Sequence, residues 1–184
     1  MKEQKKLLRK VIAQQKALHT PQELAVLSAA LFNKLETHPL FVKAKTILLY
    51  YSLKDEVQTA AFIEKWKESK KILLPIVVGD NLELKHYTGK LDLKVGAYGI
   101  KEPIGTAFTD YQKIDLAIIP GMSFDTRNNR LGRGKGYYDR LLPLLSAYKI
   151  GICFSFQVSD EIPEEVFDIK MDEVWTEYGS ISGK

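Results

Sequence analysis

Between Arg127 and Arg140, the cations Arg127, Arg130, Arg133, Lys135 and Arg140 surround and alternate with Gly132, Gly134 and Gly136. Glycine lets a backbone approach a ligand closely, and Arg and Lys add charge-assisted hydrogen bonds around it. The chemistry such a run can do is to hold a polyphosphate. Asp139 follows in the same stretch, where a carboxylate alone would repel phosphate. Two readings of it stand. Either a Mg²⁺ ion lies between carboxylate and phosphates, or Asp139 compensates the dipole of a helix N-terminus.

The known glycine-rich phosphate loops do not fit. A Walker loop needs G-x-x-x-x-G-K-[ST], but the upstream glycine is missing and Gly136 stands where the hydroxyl should be. A dinucleotide fingerprint needs a short, uncharged turn, and this stretch is long and cationic. An RNA-recognition strand would carry Gly or Ala where Tyr138 stands.

The elements around the stretch predict how it is held. Ile114–Ile119 reads as a buried strand and the segment from about Gly136 to Leu145 as a helix. Such connections usually take about 2–6 residues, so this one is long enough to be functional. Residues 3–18 predict an amphipathic helix carrying Leu7, Leu8, Val11, Ile12 and Leu18, with its lysines solvated. Thr20-Pro21-Gln22-Glu23 is a capping box opening a second helix with Leu24, Leu27, Leu31 and Leu35 on one face, ended by His38-Pro39.

Thr46–Tyr51 reads as a strand, Ser52–Glu56 as its exit loop, and Thr59 as the cap of a helix with Phe62, Ile63 and Trp66. Ile72–Val78, broken by Pro75, turns at Gly79-Asp80-Asn81 into Leu82–Tyr87 as a hairpin. Residues 88–113 read as irregular, with Tyr98, Ile100 and Phe108 to bury. Lys149–Phe154 and Glu173–Thr176 are further strands. The alternation predicts an α/β fold: one three-layer domain over residues 1–184, with a mostly parallel sheet and helices on both faces. Ligands then bind outside the carboxyl ends of the strands. That rule brings Ser52–Glu56 and Pro120–Gly136 to one rim.

Bulk properties narrow the class. At 184 residues, 45% hydrophobic and 27% charged, the chain has the composition of a soluble globule, and its formal charge of +4 does not by itself indicate nucleic acid. The single cysteine, Cys153, excludes an internal disulfide framework and sits in an apolar run as a buried small hydrophobe. No apolar run reaches the ~18 residues of a membrane span, and no apolar core follows the basic N-terminus as a secretion signal requires. A cytoplasmic monomer without membrane or nucleic-acid partners is expected. His19, His38 and His86 are scattered and are expected at the surface.

The run Asn129-Arg130-Leu131-Gly132-Arg133-Gly134-Lys135-Gly136-Tyr137-Tyr138-Asp139 closely resembles the motif of the 5-formyltetrahydrofolate cyclo-ligase (methenyltetrahydrofolate synthetase) family. The resemblance covers essentially the whole chain. Lys5-Lys6-Leu7-Leu8-Arg9, Asp55-Glu56-Val57-Gln58-Thr59, Gly99-Ile100-Lys101-Glu102-Pro103 and Asp172-Glu173-Val174-Trp175-Thr176-Glu177 resemble further family elements, in order. So do Gln157 and Phe167-Asp168.

The resemblance implies an enzyme that uses ATP and Mg²⁺ to convert 5-formyltetrahydrofolate into 5,10-methenyltetrahydrofolate, ADP and phosphate. It implies ATP contacts from Lys5, Lys6, Leu7, Leu8 and Arg9, and from Arg130, Leu131, Gly132, Arg133, Gly134, Lys135, Gly136, Tyr137 and Tyr138. Folate contacts would come from Tyr51, Glu56 and the run Arg133–Tyr137. Asp139 and Asp168 would hold magnesium, and Lys135 and Arg133 would stabilise the phosphoryl group in transit. Two rivals remain: a CoA transferase or phosphosugar isomerase on a similar α/β scaffold, and a nucleic-acid module stacking bases on Tyr137 and Tyr138.

Overall fold

A computed structural model describes residues 1–182. The chain runs through helices α1 (Lys2–Lys16), α2 (Pro21–Leu35) and α3 (Pro39–Lys43) into strand β1 (Thr46–Leu48) and helix α4 (Ala60–Trp66). Strands β2 (Lys71–Val78), β3 (Asn81–His86), β4 (Leu93–Val95), β5 (Lys101–Pro103), β6 (Ala107–Phe108) and β7 (Leu116–Pro120) follow. Next come β8 (Ser123–Phe124), β9 (Arg130–Leu131), helix α5 (Tyr137–Leu141), β10 (Tyr148–Ile152), β11 (Glu173–Thr176) and β12 (Gly179–Ser180).

Eight strands form one sheet in the order β12-β11-β10-β7-β1-β2-β3-β6. From β11 to β2 every pairing is parallel, and β12, β3 and β6 close the edges antiparallel. Strand residues alternate between faces. Ile47, Leu49, Ile72 and Ile118 meet Leu31 and Leu35 of α2, Phe41 of α3 and Phe62 and Ile63 of α4. Leu48, Leu73, Ala117 and Ile119 meet Phe124 and, from α5 and the turn after it, Leu141 and Leu142. The predicted α/β architecture is present, but its faces are unequal: three helices cover one, and short α5 with its turn packs on the other.

The structure corrects several local expectations. Pro75 does not break β2; it ends the pairing of β2 with β1. The Leu49 N–H bonds to the Leu73 carbonyl, and in a parallel ladder residue 75 would be the next donor back to Leu49. Proline has no N–H to give, so the expected strand to Tyr51 stops at Leu48 and Tyr50 and Tyr51 leave the sheet. The next free donor on that side, Val77 N–H, goes to the buried Glu102 carboxylate at 3.0 Å.

Thr59 stands at the start of α4 without capping it. Its hydroxyl donates to the Tyr50 carbonyl at 2.6 Å and accepts the Ser52 N–H at 3.1 Å. His38-Pro39 ends α2 and also starts α3, where the His38 ring accepts the Leu40 N–H. Residues 88–113 are less irregular than expected. They form the β4–β5 hairpin and the sheet edge β6, while Tyr98 stays exposed instead of buried. The Thr20 capping box and the β2–β3 hairpin are as predicted.

Helix α1 departs most from its pattern. Its buried residues are Lys5, Ile12 and Lys16, whereas Leu7 and Leu18 are exposed. The inward face combines Ile12 and the partly buried Leu8 with charged groups that find partners in the protein.

Candidate functional site: two cavities sharing a glycine-rich wall

Strands β1 and β7 are parallel neighbours, so the exits Ser52–Glu56 and Pro120–Gly136 do meet at one rim. The long connection after β7 is not a simple loop. Ser123–Phe124 and Arg130–Leu131 pair as an antiparallel hairpin. Its turn is organised by Asp125, fully buried, which accepts the N–H groups of Arg127, Asn129 and Ile162 and the Asn129 side-chain amide. A buried carboxylate with its acceptor sites filled is a rigid hub. Arg127 therefore turns outward to Glu161 and takes no part in either cavity.

Beyond the hairpin, Gly134 (φ +93°) and Gly136 (φ +70°) adopt conformations that residues with a side chain resist. At Gly134 a β-carbon would come into contact with the Arg9 guanidinium at 3.4 Å. Helix α5 is a short stub of five residues with Asp139 in its first turn.

A first cavity of about 340 Å³ lies on one side of this glycine run. Tyr50, Leu53, Pro75, Val77, Leu82 and Ile100 give it apolar walls; Tyr51, Glu56, Glu102, Arg133, Lys135, Tyr137 and Tyr138 face the same space. A second cavity of about 420 Å³ lies on the other side, with Lys2, Lys5, Lys6 and Arg9 of α1 facing Asp168 and Glu165. Arg130, Gly132, Gly134, Gly136 and Asp139 line both. The glycine run is thus a shared wall, thin because it lacks side chains.

The charges are already paired. Arg133 Nε and Nη2 donate to Glu56 Oε1 at 3.1 and 3.0 Å, and Nη2 donates to Asp55 Oδ1 at 2.8 Å. Burial disfavours the Arg133 charge, but Glu56 and Asp55 more than offset this and its pKa lies above the usual arginine value. Glu56 Oε2 accepts the Leu53 N–H at 2.9 Å, and the Gln58 amide bonds the Leu53 and Glu56 carbonyls. The exit loop of β1 is therefore braced by its own side chains. Tyr138 lies under Arg130, and burial pushes its hydroxyl pKa up strongly.

On the other side, Lys5 Nζ donates to Asp168 Oδ2 at 2.5 Å and to Glu165 Oε2 at 2.9 Å. Burial opposes the Lys5 charge, yet these two carboxylates raise its pKa above the usual lysine value. Arg9 Nε donates to the Gly132 carbonyl at 2.7 Å, which ties α1 to the shared wall.

Of the residues expected in the site, Lys6 lines the second cavity with its side chain largely exposed. Leu7 points to solvent and Leu8 packs beside Ile12, Met122 and Leu131, so neither lines a cavity. Asp139 and Asp168 do share the second cavity, but Asp139 accepts from Arg130 Nη2 at 2.9 Å and Asp168 from Lys5. Among the described residues no three His, Cys, Asp or Glu side chains gather as a metal cluster. One or two carboxylates suit Mg²⁺ that keeps its waters and arrives on substrate phosphates, and do not suit an all-protein cage. The donor set fits the first kind of site.

Cys153 is buried, as its apolar run suggests, and burial drives its thiol pKa up. His19, His38 and His86 line neither cavity, but they are half-buried rather than at the surface; His19 stacks on Phe156 at 4.0 Å. Sequence reasoning missed Tyr50, Glu102, Glu165 and Tyr98 as cavity residues. Tyr98 has φ +58° and bonds Tyr137 through their hydroxyls at 3.2 Å. Its only signal was an aromatic between Gly96 and Gly99.

A parallel α/β unit in which two cavities share one cationic, glycine-rich wall at the carboxyl ends of its strands has the architecture of an α/β enzyme. Residues 1–177 match the sequence model of the 5-formyltetrahydrofolate cyclo-ligase family. The solution structure of Aquifex aeolicus 5,10-methenyltetrahydrofolate synthetase superposes with a TM-score of 0.87 at 34% identity, covering 96% of this chain and 91% of that one. A 5,10-methenyltetrahydrofolate synthetase from Mycoplasma pneumoniae gives 0.76 at 30% identity, covering 94% and 98%. The Escherichia coli K12 5-formyltetrahydrofolate cyclo-ligase is 28% identical over 175 residues, 90% of this chain and 96% of that protein. The chain belongs to the 5-formyltetrahydrofolate cyclo-ligase family and is an enzyme of that family.

Proposed function

We propose that this enzyme closes 5-formyltetrahydrofolate to 5,10-methenyltetrahydrofolate, with ATP accepting the formyl oxygen as phosphate and with Mg²⁺ required. The observation that carries the reading is the shared wall. An apolar cavity with a carboxylate and tyrosines and a cationic cavity open on opposite sides of one glycine run.

In this reading the pterin end of the folate enters the first cavity, where Glu56 accepts hydrogen bonds from its amino and ring N–H groups. ATP lies along Lys5, Lys6, Arg9 and the run Arg130–Tyr138, its γ-phosphate at the wall. The formyl oxygen attacks the γ-phosphorus, a new O–P bond forms, and the bond to the β-phosphate oxygen breaks to release ADP. The folate N10 then attacks the activated carbon, the C–O bond breaks, phosphate leaves, and N10 gives up its proton. Phosphoryl transfer asks chiefly for in-line placement and for cations on the equatorial oxygens. Lys135 and Arg133 supply those, and Arg9, fixed by the Gly132 carbonyl, holds the wall in place. Mg²⁺, held by Asp139 and Asp168 together with the phosphates, would neutralise charge on the triphosphate. The route forms no acyl-enzyme, which agrees with the burial of Cys153.

The test is to supply ATP, Mg²⁺ and 5-formyltetrahydrofolate, follow the methenyl product by its absorbance, and omit each component in turn. Product should need all three. Product without ATP, or ATP hydrolysis indifferent to the folate, would refute the reading.

A further inference from the structure

Lys16 is buried at the far end of α1 from Lys5, its side chain 3% exposed. A lysine is rarely taken out of water unless something is gained, because desolvating an ammonium costs several kcal/mol. Its Nζ donates to Asp55 Oδ2 at 3.1 Å. Burial pulls its pKa below the usual lysine value even with Asp55 beside it. The other oxygen of Asp55 accepts from Arg133 at 2.8 Å, and Arg133 in turn holds Glu56. A chain of charges therefore runs Lys16–Asp55–Arg133–Glu56, from the helix into the wall and the apolar cavity.

The order of the chain matters. Arg133 has two carboxylate partners, and Glu56 is the one inside the cavity, with its side chain 11% exposed. A folate that recruits Glu56 takes away one of those partners, and Asp55 alone then keeps the guanidinium at the wall. The Asp55 side chain is 42% exposed and would swing freely if it were not fixed from behind. Burial works against the charge of Asp55, but Lys16 and Arg133 hold its carboxyl below the usual range, so it stays an anion and a firm anchor.

Lys16 also shares the inner face of α1 with Lys5, Arg9 and Ile12, at the helical spacing that keeps residues on one side. At about 1.5 Å per residue, Lys5 and Lys16 stand roughly 16 Å apart along one rigid helix. One end reaches the cationic cavity and the other braces the folate-side loop.

We propose that Lys16 is a positioning residue for the folate cavity: through Asp55 it holds Arg133 in place while Glu56 is given over to the substrate. This role rests on the folate reading above.

The experiment compares wild type with Lys16→Met, Lys16→Arg and Asp55→Asn by steady-state kinetics with 5-formyltetrahydrofolate and ATP varied separately. Thermal unfolding of each variant runs in parallel. For Lys16→Met we expect KM for the folate to rise roughly tenfold and kcat to fall as Arg133 loses its place, with KM for ATP changed less than about threefold. Lys16→Arg should recover most of the loss, since it restores a cation to Asp55. Asp55→Asn should reproduce the folate-selective defect and carries the test if Lys16→Met does not fold. In the double variant the two defects should not add, as expected of residues acting in series. An unchanged folate KM in both single variants, or equal losses in every parameter that track lowered stability, would overturn the role. A wild type that makes no methenyl product would instead overturn the functional reading, and the role with it.

Discussion

Arg133 and Glu56 are joined twice through one atom: both Nε and Nη2 of the arginine donate to the same oxygen, Oε1, at 3.1 and 3.0 Å. Each belongs to a different ligand in the proposed reaction, Glu56 to the pterin and Arg133 to the phosphoryl group. Without substrate the pair neutralises two charges at the rim. Binding must part them, and the second anchor at Asp55 keeps the arginine from following Glu56.

Replacing Glu56 by Gln removes the anion but keeps the shape. We expect KM for the folate to rise more than KM for ATP, because the amide no longer accepts fully from the pterin N–H groups. Separate titrations of the two substrates decide it; the reverse order would misplace Glu56.

Lys135 lines the apolar cavity with its ammonium 5.7 Å from the Tyr98 ring centroid, and among the described residues no carboxylate forms an ion pair with it. An unpaired cation at the wall is free to meet charge that develops during transfer. Lys135→Ala should lower turnover at least roughly 100-fold at saturating ATP. Near-normal single-turnover rates would remove it from the chemistry.

Asp139 holds Arg130, whose side chain is only 6% exposed, as well as facing the second, cationic cavity. Asp139→Asn should therefore act twice. It should shift the Mg²⁺ dependence of turnover to higher concentration, and it should lower stability by about 1–3 kcal/mol by weakening the partner of a buried guanidinium. A loss of stability with an unmoved magnesium titration would leave Asp139 as a structural partner of Arg130.

The Lys5 pKa is raised in the folded protein, so its contribution to stability is fully present below the ordinary lysine value of 10.5 and is lost as pH climbs through the raised value. Lys5→Met lacks that contribution at every pH. Unfolding measured without ligands from about pH 9 to 12 should show the gap between wild type and variant narrowing as pH rises. A gap that stays constant would mean that the ion pairs with Asp168 and Glu165 contribute nothing to folding.

Local chemistry was legible wherever it depended on neighbours along the chain. The capping box at Thr20, the hairpin at Gly79-Asp80 and the strand periods of Ile72–Val78 and Leu116–Ile119 need only short-range sterics and hydrogen bonds. The spacing of Gly132, Gly134 and Gly136 among cations also announced a cationic, glycine-rich wall, and the order of the motifs pointed to the family. Pro75 was misread because its effect lies on another strand: the donor it lacks would have served Leu49.

By itself, then, the sequence determined the α/β alternation, the glycine-rich wall and the rim that joins Glu56 to it. Backbone propensity and side-chain period act over a few residues and leave a readable pattern. Only the tertiary structure decided that the wall separates two cavities, that Leu7 faces water while Lys16 is buried, and that Arg133 is shared between Asp55 and Glu56. Those outcomes turn on how buried charges find partners far along the chain. Lys16 meets Asp55 across 39 residues and Arg133 meets Glu56 across 77, separations that no local pattern encodes.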